Sequence, residues 1–117
     1  MNIETYYNYC MSLPGVTEEF PFNEDVLVFK VMGKMFALTN VETFDGINLK
    51  CDPVRALKLR AAYEEIKPGY HMNKKHWNTV VPNGSLEDDF IIELIRHSYD
   101  LIVEKLPVKK KKKLKNS

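Results

Sequence analysis

Residues 68–80 hold the side chains with the most varied chemistry in the chain. Two adjacent lysines, Lys74 and Lys75, are followed directly by His76 and by Trp77, the only tryptophan. Lysine ammonium groups neutralise phosphates, and an aromatic or histidine ring can stack on an unpaired base. This composition favours a nucleic-acid-binding loop. The alternative is that Trp77 anchors a strand in the core or on the sheet while the lysines are solvated.

Three further lysines could extend such a surface. Lys34 lies at the predicted tip of a hairpin, and Lys30 and Lys50 lie on predicted strands with side chains directed away from the core. We therefore predict weak DNA binding with little sequence preference, through phosphate contacts. The alternative function is a protein- or small-ligand-binding module that uses the open sheet face around Lys30, Lys50 and Trp77.

Charge is distributed unevenly along the chain. The net charge is +1, but six lysines lie within residues 109–115, which leaves 11 Lys and Arg against 16 Asp and Glu and a charge of −5 for residues 1–108. Like charges repel and resist ordering, so we predict a folded domain over residues 1–107 and a disordered lysine-rich tail over residues 108–117. The tail either adds affinity for nucleic acid or only aids solvation.

Catalytic and metal-binding signatures are missing from the sequence. It contains no nucleophile elbow, phosphate-binding loop or dinucleotide-binding motif, so we expect a non-enzymatic protein without catalytic residues or a cofactor. His71, His76 and His97 lack the spacing of a zinc site, so no metal is expected. Cys10 and Cys51 are predicted to be buried thiols. With neither a signal peptide nor a membrane span in evidence, we expect a cytoplasmic monomer that does not bind membranes.

Hydrophobic periodicity predicts the elements that position these residues. Met32 and Gly33 form a two-residue hairpin loop, which pairs Phe29 with Phe36. Ser85 is expected to cap the last helix. The predicted helices cover residues 2–12, 53–65 and 86–106, and the predicted strands cover residues 26–31, 34–39, 47–51 and 77–81.

Alternation along the hairpin separates a core face from a second, partly covered face. This order of elements predicts an α+β fold, an antiparallel sheet with helices packed on one face. The predicted core face carries Leu27, Phe29, Val31, Phe36 and Leu38, and the second face carries Val28, Lys30, Met35 and Ala37.

An ordered set of segments resembles the MmcQ/YjbR family, whose fold is grouped with the frataxin-like CyaY fold. The resemblance implies that fold and a DNA-binding domain with a double-wing arrangement, and it implies no catalytic residue or cofactor. The C-terminal lysine run departs from the family pattern. The segments that carry the resemblance are Leu-Pro-Gly-Val at residues 13–16, residues 28–31 and 33–37, Leu-Lys-Cys-Asp-Pro at residues 49–53, residues 68–77, and Ser-Tyr at residues 98–99.

Overall fold

The computed structural model describes residues 1–116, which form one six-stranded antiparallel sheet and four helices. The predicted α+β class, with the helices on one face of the sheet, is confirmed. The elements are α1 (Ile3–Ser12), β1 (Val16–Glu19), β2 (Val26–Val31), β3 (Lys34–Asn40), β4 (Ile47–Lys50), α2 (Pro53–Ala62), β5 (Ile66–Pro68), β6 (Trp77–Val80), α3 (Asp88–Glu104) and α4 (Val108–Lys115).

The strands lie in the order β1-β2-β3-β4-β6-β5, so the two short edge strands, β1 and β5, enclose the four strands predicted from sequence. The main core lies between the sheet and α1, α2 and α3. Tyr6 and Phe29 meet edge to face with ring centroids 5.5 Å apart, and Phe36 meets Tyr99 in the same way at 5.5 Å. Such aromatic pairs add directional contacts to the burial of apolar area.

Helix starts follow local capping chemistry at two of the three predicted helices. The Asn2 side chain accepts from the Thr5 amide at 2.8 Å, and Asp52 accepts from the Arg55 amide at 2.9 Å. The predicted cap at Ser85 is wrong, because its hydroxyl and amide both bind the Glu65 carboxylate. Helix α3 therefore begins at Asp88, without a side-chain cap.

The hairpin differs from the predicted register by one bulge. Val31 pairs with Lys34 as predicted, but Phe29 lies opposite Ala37, because the register shifts after Phe29. A bulge places two successive residues opposite one. As a result, Ala37 joins Phe36 in the core cluster, and Leu38, which was predicted in the core, pairs with Val28 on the other face.

The lysine-rich segment is helical in the structure, contrary to the predicted disorder. Residues 108–115 form α4, and Leu114 is buried at 8% exposure. Cδ1 of Leu114 lies against Gly15, so one apolar anchor fixes the end of a charged helix. Lysines in the last turn also complement the negative end of the helix dipole.

Candidate functional site

Most of the predicted site residues meet at one end of the sheet. The strands are antiparallel, so the last residue of β4, Lys50, lies beside the first residue of β6, Trp77. The hairpin tip with Lys34 lies at the same end, as do Lys75 and His76, which immediately precede β6. We call the lysine group formed here by Lys34, Lys50 and Lys105 the basic end.

Lys50 is the centre of the basic end. Its pKa is lowered, first because the side chain is partly buried and then because the positive charges of Lys105 and Lys34 oppose its own. Among residues 1–116, no carboxylate lies within ion-pair distance of these three lysines. The positive charge around Lys50 therefore has no ion-pair partner, which favours an anion there. Lys105 was not predicted as a site residue, because only the fold brings the end of α3 near β4.

Ser98 holds the backbone of Lys50 in place. Its buried hydroxyl accepts from the Lys50 amide at 2.9 Å and donates to the Phe36 carbonyl at 2.5 Å. The direct backbone pairing of β3 with β4 ends at Ala37 and Leu49. Beyond that pair, beside the hairpin bulge, the Ser98 hydroxyl bridges the two strands. Sequence analysis gave Ser98 no structural role, and its hydroxyl in fact satisfies two backbone groups.

The junction between β4 and α2 is bonded on both sides. Nε2 of His97 accepts from the Asp52 amide at 3.2 Å, and the His76 carbonyl accepts from the Cys51 amide at 2.8 Å. The pKa of His97 is lowered, mainly by burial and next by the charge of Arg55. Histidine in its neutral form is the acceptor that this geometry requires.

Two predicted lysines are engaged inside the protein. Nζ of Lys30 lies 2.9 Å from a carboxylate oxygen of Glu19, and Nζ of Lys74 donates to the Gly69 carbonyl at 2.9 Å. Arg60 also donates to the carbonyl of Lys74. Lys74 therefore supports its own loop, and Lys30 is partly neutralised.

Trp77 lies on the open face of the sheet. Its neighbour across the strands is Lys50, and the alternating residues Ile47 and Leu49 of β4 point into the core. The indole is half-buried. Trp77 is thus beside the basic end rather than in the core, and part of its ring is available to a partner.

A groove on the open face is the second notable feature of the sheet. It has a volume of about 900 Å³ and crosses strands β2, β3, β4, β6 and β5 on the side opposite the helices. We call it the open-face groove, and it centres closer to the β3–β4 turn than to Lys50 and Trp77. Its floor includes Val26, Leu38, Asn48, Thr79 and Val81.

Hydrogen bonds between the floor and the loop preform the groove. The Thr79 hydroxyl donates to the Asn48 side chain at 2.5 Å and accepts from the Tyr70 amide at 2.9 Å. Asn48 in turn donates to the Tyr70 carbonyl at 3.0 Å. These polar side chains satisfy one another and fix the backbone of Tyr70, which leaves the apolar groups of the floor to meet a ligand.

Aromatic side chains border the groove. Phe22, from the β1–β2 connection, is 63% exposed, and Tyr70 is 70% exposed. The rings of Tyr70 and His71 lie with centroids 4.1 Å apart. His71 also adopts a positive φ of 58°, a strained conformation for a non-glycine residue and one that is enriched at functional sites. Sequence reasoning noted the loop but missed Phe22 and Tyr70 as site residues.

Neither a metal-ligand cluster nor a membrane-spanning helix occurs in the described chain. In residues 1–116, no three His, Cys, Asp or Glu side chains come together as metal ligands. No helix in this part of the chain combines the length and the apolar composition needed to cross a bilayer.

The structure defines an α+β domain with one helical layer, one open sheet face and a cluster of lysines at one end of the sheet. The chain belongs to the YjbR family, whose model matches residues 11–101. The resemblance seen in the sequence is thereby confirmed.

Relatives and solved structures agree with this assignment. The chain is 38% identical to the uncharacterised protein YbdF of Escherichia coli O157:H7, over 96% of this chain and 93% of that protein. It is 36% identical to the uncharacterised protein YjbR of Escherichia coli K12, over 97% and 98%. A crystal structure from Deinococcus radiodurans with a DUF419 domain superposes with a TM-score of 0.90 at 39% identity, covering 97% of this chain and 87% of that chain.

Proposed function

We propose that the protein is a non-enzymatic, monomeric DNA-binding protein that contacts phosphates weakly and without strong sequence preference. The observation that carries this proposal is the cluster of Lys34, Lys50 and Lys105, three lysines without a carboxylate partner in the described chain. A phosphate between them would relieve their mutual repulsion, so binding would be coupled to a rise in the pKa of Lys50.

Helix α4 extends the proposed contact surface. Its anchor, Leu114, packs against Gly15 and belongs to the same core cluster as Val31, which pairs with Lys34 at the hairpin end. The six lysines of this helix are thereby held near the hairpin end of the sheet, where their charges add to those of Lys34. Trp77 beside Lys50 offers part of its ring to a base of a single strand.

The net charge of −5 over residues 1–108 limits the affinity that this surface can produce. Long-range attraction of DNA to the body is absent, so binding depends on short-range contacts at the basic end and along α4. This is the physical reason for proposing weak binding. The free, buried thiols of Cys10 and Cys51 fit a reducing compartment, and we place the activity in the cytoplasm.

The test is fluorescence anisotropy of labelled duplex and single-stranded DNA across a salt series, with the full chain. The triple variant Lys34→Gln, Lys50→Gln, Lys105→Gln should bind DNA more weakly. On duplex DNA, the steepness of the plot of log binding constant against log salt concentration should fall by about three, since each phosphate contact contributes about 0.9. A second variant carries Gln at Lys109, Lys110, Lys112 and Lys113 and keeps Leu114. Substitution is preferred to deletion of α4, because deletion would also remove the buried Leu114.

Lys58→Gln is the matched control, since Lys58 is an exposed lysine on α2 outside the basic end. It should leave both the affinity and the salt slope nearly unchanged. Absence of salt-dependent binding to either DNA at low salt would contradict the proposal. So would equal binding by wild type and by a variant that combines all seven substitutions.

A further inference from the structure

We infer that the open-face groove binds a small planar aromatic molecule that carries one acidic group. This site is separate from the proposed DNA contact and does not depend on it. The volume of about 900 Å³ lies within the range of about 300–1,000 Å³ that is usual for small-molecule pockets. Lining that is mostly apolar, with a few polar groups, is typical of such sites.

The aromatic part of the ligand follows from the rim. Phe22 and Tyr70 come from separate connections, both line the groove, and both are more than half exposed. Exposing two aromatic rings to water is costly unless a partner covers them, and a flat ring can stack against either. Because Tyr70 is bonded through both its amide and its carbonyl, its backbone is already positioned before a ligand arrives.

The acidic group follows from Lys67. This residue lies on edge strand β5 beside Thr79, in the groove lining, and in the described chain no carboxylate pairs with it. The nearest polar alternatives on the floor, Asn48 and Thr79, are bonded to each other and to Tyr70. Lys67 is therefore the cation that an acidic ligand would meet, by a charge-assisted hydrogen bond.

The two charged groups of the lining also predict an orientation. Asp45 lies in the turn before β4 and accepts from the Thr43 hydroxyl at 3.0 Å, whereas Lys67 lies on β5, with β6 between the two strands. An anion is repelled at the Asp45 side and attracted at the Lys67 side. The ligand should therefore place its acidic group toward β5 and its ring toward Phe22.

The probe for this site is the fluorescent dye 1-anilinonaphthalene-8-sulfonate, an aromatic anion. Its uncharged counterpart is N-phenyl-1-naphthylamine, which lacks the sulfonate. Both are titrated into the 117-residue chain. Energy transfer from Trp77, which lies on the same face of the sheet, reports how close the bound dye is to that side chain. We expect saturable binding of the sulfonate dye, with weaker binding of the uncharged dye.

Three variants locate the dye. Lys67→Gln should lower the affinity for the sulfonate dye about tenfold, as expected for the loss of one charge-assisted contact. Its affinity for the uncharged dye should stay unchanged. Phe22→Ala and Tyr70→Ala should weaken both dyes, because they remove the stacking surfaces. All three side chains are exposed, so the variants keep the fold. The matched controls are Lys58→Gln and Leu57→Ala, an exposed lysine and an exposed leucine on α2.

The basic end could also attract a sulfonate, and one further variant separates the two sites. The triple variant Lys34→Gln, Lys50→Gln, Lys105→Gln should lose DNA affinity and retain dye binding. The inference is overturned if the wild type shows no saturable dye binding, or if the sulfonate dye responds to the basic-end variant and not to Lys67→Gln. Equal effects of Leu57→Ala and Phe22→Ala would also overturn it.

Discussion

The basic end and the open-face groove use polar side chains in opposite ways. At the basic end, the positive charges of Lys34 and Lys105 oppose that of Lys50, and none of the three lysines has a carboxylate partner in the described chain. In the groove, Asn48 and Thr79 satisfy each other and the backbone of Tyr70. The first arrangement is suited to a diffuse polyanion, and the second to a molecule with a defined shape.

This difference shows that residue type alone is a poor guide to availability. Lys74 and Lys30 have the same side chain as Lys34, but one donates to Gly69 and the other pairs with Glu19. A lysine contributes to binding only when its ammonium group has no better partner within the protein. Substituting the residues that hold each region in place is therefore the best way to distinguish the basic end from the open-face groove.

The largest effect is expected from Ser98→Ala. Its hydroxyl satisfies the Lys50 amide and the Phe36 carbonyl, both next to the bulge, and removing it takes away this partner from one part-buried and one buried backbone group. The free energy of unfolding should fall by about 3 kcal/mol, since each unsatisfied buried group costs about 1–3 kcal/mol. Urea unfolding measures this change. DNA affinity should also fall, while binding of the sulfonate dye in the groove is retained.

Ser12→Ala is the control for that prediction. The Ser12 hydroxyl also donates to a backbone carbonyl, that of Tyr9, but on an exposed turn of α1. Its loss should change stability by less than about 0.5 kcal/mol, as is usual for surface substitutions. If both serine variants were equally stable, the bridging role of Ser98 would be excluded.

The next largest effect is expected from Gly15→Ala. Gly15 has a φ of +76°, and an added Cβ would lie 2.4 Å from Cδ1 of Leu114. The substitution should cost about 2 kcal/mol, part of it from the left-handed backbone and part from displaced packing of Leu114. Release of α4 should reduce DNA binding and leave the groove unaffected. Urea unfolding and trypsin cleavage within the lysine run are the measurements.

Gly33→Ala separates the two causes. Gly33 has a similar φ of +82°, but an added Cβ there meets no atom within 4 Å. It should show the backbone cost alone, of about 1 kcal/mol, and no faster cleavage of α4. Equal cleavage rates in the two glycine variants would show that Leu114 does not hold the helix against Gly15.

The sequence predicted the central elements and several of the site residues correctly, because those follow from local patterns. Hydrophobic alternation identified the four inner strands, and the helix predicted from residue 53 begins there as α2. The edge strands β1 and β5 were missed, since both are short and mostly exposed. A strand of this kind is stabilised by its neighbour rather than by its own composition.

The remaining errors come from contacts between distant parts of the chain. At the hairpin bulge, the Phe36 carbonyl accepts from Ser98, which lies 62 residues away along the chain. Order in α4 depends on Leu114 reaching Gly15, and the lysine composition around it predicted the opposite. The groove combines Phe22 with residues of β5 and β6, so no local motif could reveal it.

The smallest predicted effect is a pH dependence centred on His97. Its pKa is lowered in the folded state, chiefly by burial and then by Arg55, so the unfolded chain binds a proton more readily. His97 therefore contributes stability that is fully present above its ordinary pKa of about 6.5 and is lost as the pH falls toward the folded value. Urea unfolding between pH 7.5 and 5 should show this slope.

His97→Gln should flatten that slope, because glutamine can still accept from the Asp52 amide but cannot be protonated in this range. His71→Gln, a change at an exposed histidine on the groove rim, should leave the slope of stability against pH unchanged. Protonation of His97 loosens the junction between β4 and α2, which adjoins Lys50, so DNA binding should acquire the same pH dependence beyond the change in stability. Dye binding in the groove should not. If the slope survives in the His97 variant, the pH dependence belongs to another group. The β4–α2 junction would then not link pH to DNA binding at the basic end.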